Sequence, residues 1–186
     1  MMHRIVPSRP EFGEVLTALY DASFVPGTVQ AHYRPDGKTD AWALDLRRGL
    51  SRHSLLAPVA REMGRLLTAA GVNQIVGKGY GSAFLLGGIL ASAPNLRAGI
   101  IRDVPKPHGF RNLLEGSVTN DRPVFLVDDV LSSGRSAAAS LDILQQHGFT
   151  VAGLAVVFRY GWRKSEERLK EHQIPVHSLA TLYPSL

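Results

Sequence analysis

The reading of this chain turns on Val124-Phe125-Leu126-Val127-Asp128-Asp129-Val130-Leu131-Ser132-Ser133-Gly134-Arg135-Ser136. An apolar run over 124–127 without polar alternation marks a strand covered on both faces. It hands two adjacent carboxylates to its carboxyl end. A bend of small and hydroxyl residues follows and enters a helix over 136–147, with Ala137, Leu141 and Leu144 on one side and Gly148 as its stop. The N–H groups of such a bend, its hydroxyls and the positive end of the helix suit a phosphate monoester. Neighbouring carboxylates suit the hydroxyls of a ribose, or a divalent cation gathered through water. Read alone, Ser132, Ser133 and Ser136 are also ordinary helix caps. That reading leaves the two carboxylates unexplained, because charge at the end of an apolar strand costs desolvation unless something binds it.

Outward from this segment the pattern alternates. Before it lie a helix over 11–20, two strands over 28–33 and 41–46 flanking the turn Pro35-Asp36-Gly37-Lys38, and a helix capped by Ser51 or Ser54 that stops at Gly71. A short strand over 74–76, an apolar helix over 82–92 and a strand over 97–102 come next, then a polar stretch with Pro105 and Pro107. After it come a buried strand over 151–158, a charged helix over 164–172 and a last strand over 176–179. Strands alternating with helices predict a parallel sheet with helices on both faces. Ligands of such sheets bind beyond the carboxyl ends of the strands.

Composition narrows the chemistry. With 186 residues the chain can bury a full core without cross-links, and it contains no cysteine. That excludes a disulfide framework, a thiolate nucleophile, thiolate-held zinc and iron–sulfur clusters. A formal charge of +5 is compatible with an anionic substrate, although surface lysine and arginine explain it as well. Apolar stretches break well before 18 residues and the start has no apolar leader, so neither a membrane span nor a secretory signal is expected. No Gly-x-x-x-x-Gly-Lys-Ser/Thr occurs. Gly77-Lys78-Gly79-Tyr80-Gly81 misses the dinucleotide spacing, because Ser82 stands where the third glycine belongs.

The Asp128-Asp129 segment resembles the phosphoribosyl-pyrophosphate (PRPP) motif of type I phosphoribosyltransferases. The resemblance implies that Asp128 and Asp129 take the ribose hydroxyls, while Ser132, Ser133, Gly134, Arg135 and Ser136 take the 5-phosphate. Arg102-Asp103-Val104-Pro105-Lys106-Pro107-His108-Gly109 is similar to the mobile loop of the orotate branch. There Arg102, Lys106 and His108 would neutralise the leaving pyrophosphate, with Asp128 beside the reacting sugar. Gly79-Tyr80-Gly81 stands where the family has its pyrophosphate loop, and Arg159 and Gln30 fall at base-contacting positions. Asp45-Leu46-Arg47 looks like an element of the branch's N-terminal hood, behind Trp42 as a stacking face or a core residue. Departures gather here: Gln30 replaces a lysine, Asp103 replaces another, and Tyr80-Gly81-Ser82 lacks the lysine of Tyr-Lys-Gly.

The resemblance implies one phosphoribosyltransferase domain over 1–186, with hood elements over about 1–50 and an α/β core over about 51–186 that carries a mobile loop at 102–112. The fold expected is a central, mostly parallel sheet flanked by helices. The activity expected is Mg2+-dependent transfer of ribose 5-phosphate from PRPP to a pyrimidine-like base, foremost orotate. Asp128 and Asp129 would meet the metal indirectly, through water or PRPP. A cytoplasmic homodimer is implied, with the loop acting across subunits and no nucleic acid or membrane as partner. A transferase for another base, or a nucleotide-sensing regulator of the same fold, are the alternatives.

Overall fold

The computed structural model describes residues 3–27, 42–102, 114–161 and 165–184. Its elements run in the order β1 (His3–Pro7), α1 (Gly13–Ser23), β2 (Phe24–Pro26), β3 (Trp42–Leu44), α2 (Leu46–Leu50), α3 (His53–Ala69), β4 (Gln74–Lys78) and α4 (Gly79–Ser92). They continue with β5 (Arg97–Ile101), β6 (Leu114–Gly116), β7 (Val124–Leu131), α5 (Arg135–Gln146), β8 (Val151–Tyr160), α6 (Ser165–Leu169) and β9 (Val176–Pro184).

Seven strands form one sheet in the order β1-β9-β8-β7-β4-β5-β6. The five inner strands are parallel, and β1 and β6 pair antiparallel at the two edges. The expected mostly parallel α/β sheet is therefore the fold observed. The chain steps from β4 to β5 in one direction and from β7 through β8 to β9 in the other. This leaves a topological switch between β4 and β7, where the loops after two adjacent strands part and open a crevice. One core layer packs Met63 and Leu67 of α3 and Leu85 and Ile89 of α4 on one sheet face. The other packs Ala137, Leu141 and Leu144 of α5 on the opposite face. So α4, leaving β4, and α5, leaving β7, lie on opposite faces and hold the crevice open.

Several sequence expectations change, among them the cap of α3, whose N-cap is Arg52 rather than Ser51 or Ser54. Strand β7 does not stop at Val127 but runs through both aspartates to Leu131, because β8 continues beside it with Asp128 opposite Val156 and Leu131 opposite Arg159. Polarity is a poor stop signal when a neighbouring backbone keeps supplying hydrogen bonds. The hairpin is represented by β2 and β3, which pair Phe24 with Leu44 and Pro26 with Trp42; residues 28–41, with the expected strand at 28–33, lie outside the described residues. Leu46, expected in the second strand of that hairpin, instead opens α2 behind the N-cap Asp45. Edge strands β1 and β6 had no reading in the sequence. Among the described residues no helix is long and apolar enough to cross a membrane.

The two-layer packing is tight where β7 meets β8. Gly153 sits opposite Phe125, and a Cβ at Gly153 would run into the Phe125 ring. Overpacking of this kind costs about 1–3 kcal/mol. Gly153→Ala is accordingly expected to lower the thermal midpoint of unfolding by several degrees, measured by circular dichroism or calorimetry.

Candidate functional site

The crevice at the β4–β7 switch is a cleft of about 290 Å³. One wall is Lys78, Tyr80 and Gly81, where β4 turns into α4; the floor is Asp128, Asp129 and Val130 of β7; Ser132 begins the bend toward α5. The third wall comes from the N-terminal elements and β8: Leu44, Asp45, Leu46, Arg47 and Tyr160.

The acidic pair is built into the backbone around it. Asp128 Oδ1 accepts from the Ser82 hydroxyl at 3.1 Å and from the Asp129 N–H at 2.9 Å. Asp129 Oδ1 accepts from the Val130 N–H at 2.8 Å. Its carboxylate lies so close over Gly81 that a Cβ there would collide with it. That explains the glycine: the bend after β4 must bring bare backbone against Asp129. Burial raises the pKa of Asp128, and the charge of Asp129 raises it further, to about 8. Burial raises Asp129 as well. The pair is short of positive charge in this state and favours holding a proton.

Both helix entries use glycine where L side chains are strained. Gly79 has φ +80° and starts α4, and Gly134 has φ +75° as the N-cap of α5. The bend Ser132-Ser133-Gly134 thus leads from the end of β7, past the acidic pair, into the first turn of α5 at Arg135 and Ser136. It presents hydroxyls and N–H groups at the positive end of a twelve-residue helix.

Arg47 lines the cleft as well, although sequence reading left it off the site. Asp45 N-caps α2 by accepting from the Arg47 N–H at 3.3 Å, and it grips the same residue's guanidinium at Nε (2.6 Å) and Nη2 (3.0 Å). This bond raises the Arg47 pKa, and in return lowers that of Asp45. The available signal was the Asp45-Leu46-Arg47 spacing itself, since an aspartate just before a helix reaches back to its own first turn.

The expected site residues are distributed as follows. Asp128, Asp129, Tyr80, Gly81 and Ser132 line one cleft, and Ser133, Gly134, Arg135 and Ser136 continue from it. Gly79 supplies the bend. Arg102 stands one residue past β5, whose Ile101 pairs with Lys78, and its Nη1 lies 3.1 Å from Glu115 Oε1. Arg159 is not in the cleft. Its Nε donates to Thr181 Oγ1 at 2.9 Å, and it lines a different pocket with Leu169 and Ile174. Successive strand residues face opposite ways, so Tyr160 takes the cleft side that Arg159 lacks. Trp42 stacks on Phe24 (centroids 6.0 Å apart) and packs against His3 and Tyr160, behind the third wall. Gln30, Lys106 and His108, with the rest of the expected mobile loop up to residue 112, lie outside the described residues.

No family model matches the chain. An orotate phosphoribosyltransferase of Cytophaga hutchinsonii is 35% identical over 94 residues, covering 50% of this chain and 45% of that protein. One from Bacteroides thetaiotaomicron is 33% identical over 137 residues, covering 73% of this chain and 64% of that protein. The chain thus spans less than two thirds of the length of these relatives. Among solved structures, orotate phosphoribosyltransferase of Mycobacterium tuberculosis in complex with PRPP superposes with a TM-score of 0.74 at 22% identity, over 91% of this chain and 95% of that one. A switch-point cleft floored by an acidic pair and the shared fold thus make the chain similar to the type I phosphoribosyltransferases, and among them to orotate phosphoribosyltransferases.

Proposed function

We propose that this chain transfers ribose 5-phosphate from PRPP to a nucleobase, foremost orotate, releasing pyrophosphate. The observation that carries the reading is the acidic pair of β7 on the floor of the switch-point cleft, followed directly by the Ser132–Ser136 bend. A pentose 5-phosphate has matching parts: two adjacent hydroxyls that donate to carboxylates, and a phosphate that accepts from N–H groups and hydroxyls. With the sugar so oriented, the bend after β4 faces the pyrophosphate, and the acceptor enters past the third wall. Holding the base nitrogen near the C1 carbon supplies much of the rate through proximity. Charge growing on the leaving oxygens is met by Lys78 and, in the family's manner, by Arg102, Lys106 and His108.

Asp128 and Asp129 suit Mg2+ by donor chemistry, as two hard oxygen ligands side by side. Among the described residues no group of three or more His, Asp or Glu could hold an ion alone. The ion would therefore be completed by water and PRPP oxygens. When bound, it would neutralise polyphosphate charge and offset the burial and mutual repulsion that favour a proton on these carboxyls. A homodimer belongs to the same reading. The outward face of α4, with Tyr80 (78% exposed), Phe84 and Leu90, is apolar and uncovered in a single chain.

Incubation with PRPP, Mg2+ and a panel of free bases, with pyrophosphate release as the readout, tests the activity. Release with orotate is expected; release with no base at all would leave only the regulator. Asp128→Asn and Asp129→Asn are each expected to weaken PRPP binding by roughly 10- to 100-fold, the loss of a charge-assisted hydrogen bond. Calorimetric titration measures it. Lys106→Ala should lower kcat far more than it raises the PRPP Kd, because a closing cation acts chiefly in the transition state. The raised pKa of Asp128 has a sign for stability too. The proton it keeps in the fold stabilises the ligand-free protein fully below about pH 4, and that contribution is lost as pH rises through about 8. Melting scans of ligand-free protein should show Tm falling over this window, and Asp128→Asn should flatten the slope.

A further inference from the structure

We propose that Arg47 is the specificity-determining residue of the acceptor site, and that it selects a planar base bearing a carboxylate. The inference rests on the phosphoribosyl-transfer reading and assigns the wall that reading leaves open. The bend after β7 and the bend after β4 account for the two phosphate ends of PRPP. The remaining wall is lined by the edges of Leu44 and Tyr160, both otherwise buried in the core, with the exposed guanidinium of Arg47 beside them. An apolar edge with one planar cation beside it is complementary to a planar ring with an anionic substituent, whose carboxylate a guanidinium can pair through parallel hydrogen bonds.

The geometry of Arg47 is that of a presented group. Its side chain is 56% exposed and lines the cleft, yet it is not loose. Nε and Nη2 are spent on the two oxygens of Asp45, at 2.6 and 3.0 Å. The backbone beneath is fixed by the same aspartate as N-cap, and by Leu46 and Leu50, both fully buried. A fork held along one edge keeps the plane of the guanidinium set. Its Nη1 edge points away from Asp45, and no described residue accepts from it. Preorganisation of this kind lowers the ordering cost of a second planar acceptor.

The other cations near the reaction serve other walls. Lys78 belongs to the bend after β4. Arg159 lies on the opposite face of β8 on Thr181. Asp129, across the cleft, adds to the pull on the Arg47 charge. A base carboxylate would lie on the far side of the guanidinium from Asp45, and a neutral base would leave that edge unmatched.

The test compares two product nucleotides that differ by one carboxylate, orotidine 5′-monophosphate and uridine 5′-monophosphate, by calorimetric titration. Wild type is expected to bind the first more tightly. Arg47→Gln should weaken the first by roughly 10- to 100-fold, as for a lost charge-assisted hydrogen bond, and leave the second unchanged. Arg47→Lys, which keeps the charge without the fork, should recover part of the loss. Asp45→Asn keeps a capping oxygen but loosens the fork, and should give a smaller loss of the same selective kind. Equal loss of both nucleotides in Arg47→Gln, no loss of either, or equal binding of both by wild type would each overturn the proposal. So would discrimination that survives Arg47→Gln and disappears in Arg159→Gln. Wild-type turnover with uracil and not orotate would sink the inference while phosphoribosyl transfer stands. Failure to bind either nucleotide, with no pyrophosphate release from any base, would sink both.

Discussion

Two adjacent carboxylates share the end of one strand, half-buried on the floor of a cleft, and the surrounding structure is arranged around that fact. Asp128 is held by a hydroxyl and an N–H, Asp129 by an N–H and the bare backbone of Gly81. These contacts fix the positions of the oxygens without neutralising their charge. The pKa of Asp128, raised to about 8, measures what is missing. Hydroxyl donors or a cation would supply it, so the energy stored in an unfavourable burial becomes binding energy when the ligand arrives. Such sites exchange stability for function.

The fold makes this arrangement available. A parallel sheet places strand ends and helix starts at one edge, and the switch between β4 and β7 separates two helices to opposite faces. Each bend at that edge has a glycine with positive φ at the helix entry. The two bends can therefore approach a ligand with backbone N–H groups from two sides, while the carboxylates meet it from below. The third wall arrives from elsewhere in the chain. Residues 42–50 lie against the cleft because Trp42 joins the aromatic group of His3, Phe24 and Tyr160, and because the His3 ring nitrogen bonds the Tyr20 hydroxyl at 2.6 Å.

Charge is divided by wall. Lys78 stands at the bend after β4 and Arg47 at the wall opposite, while Arg102 lies outside the cleft lining, beside Glu115 just past β5. An acidic floor with cations on separate walls suits a substrate whose hydroxyls and anionic groups point in different directions. It also keeps the cations from collapsing onto the aspartates, as Asp45 and Glu115 hold two of them in place.

Much of this was legible in the chain itself, for a local reason. An apolar run followed by Asp128-Asp129 and a Ser/Gly bend encodes strand, acid pair and helix entry within thirteen residues, and the repeating strand–helix pattern encodes the parallel sheet. These features depend on neighbours in sequence, so periodicity and turn chemistry expose them. What the three-dimensional structure alone decided depends on neighbours in space. Strand β7 continues past Val127 because β8 keeps hydrogen bonding to it; Arg159 turns out of the cleft and Tyr160 into it because a strand alternates faces. Arg47 joins the site because an aspartate two residues earlier fixes its fork and distant aromatic contacts bring α2 to the sheet edge. Side-chain direction and long-range docking leave no periodic trace in a linear string, and those are the properties that chose the third wall.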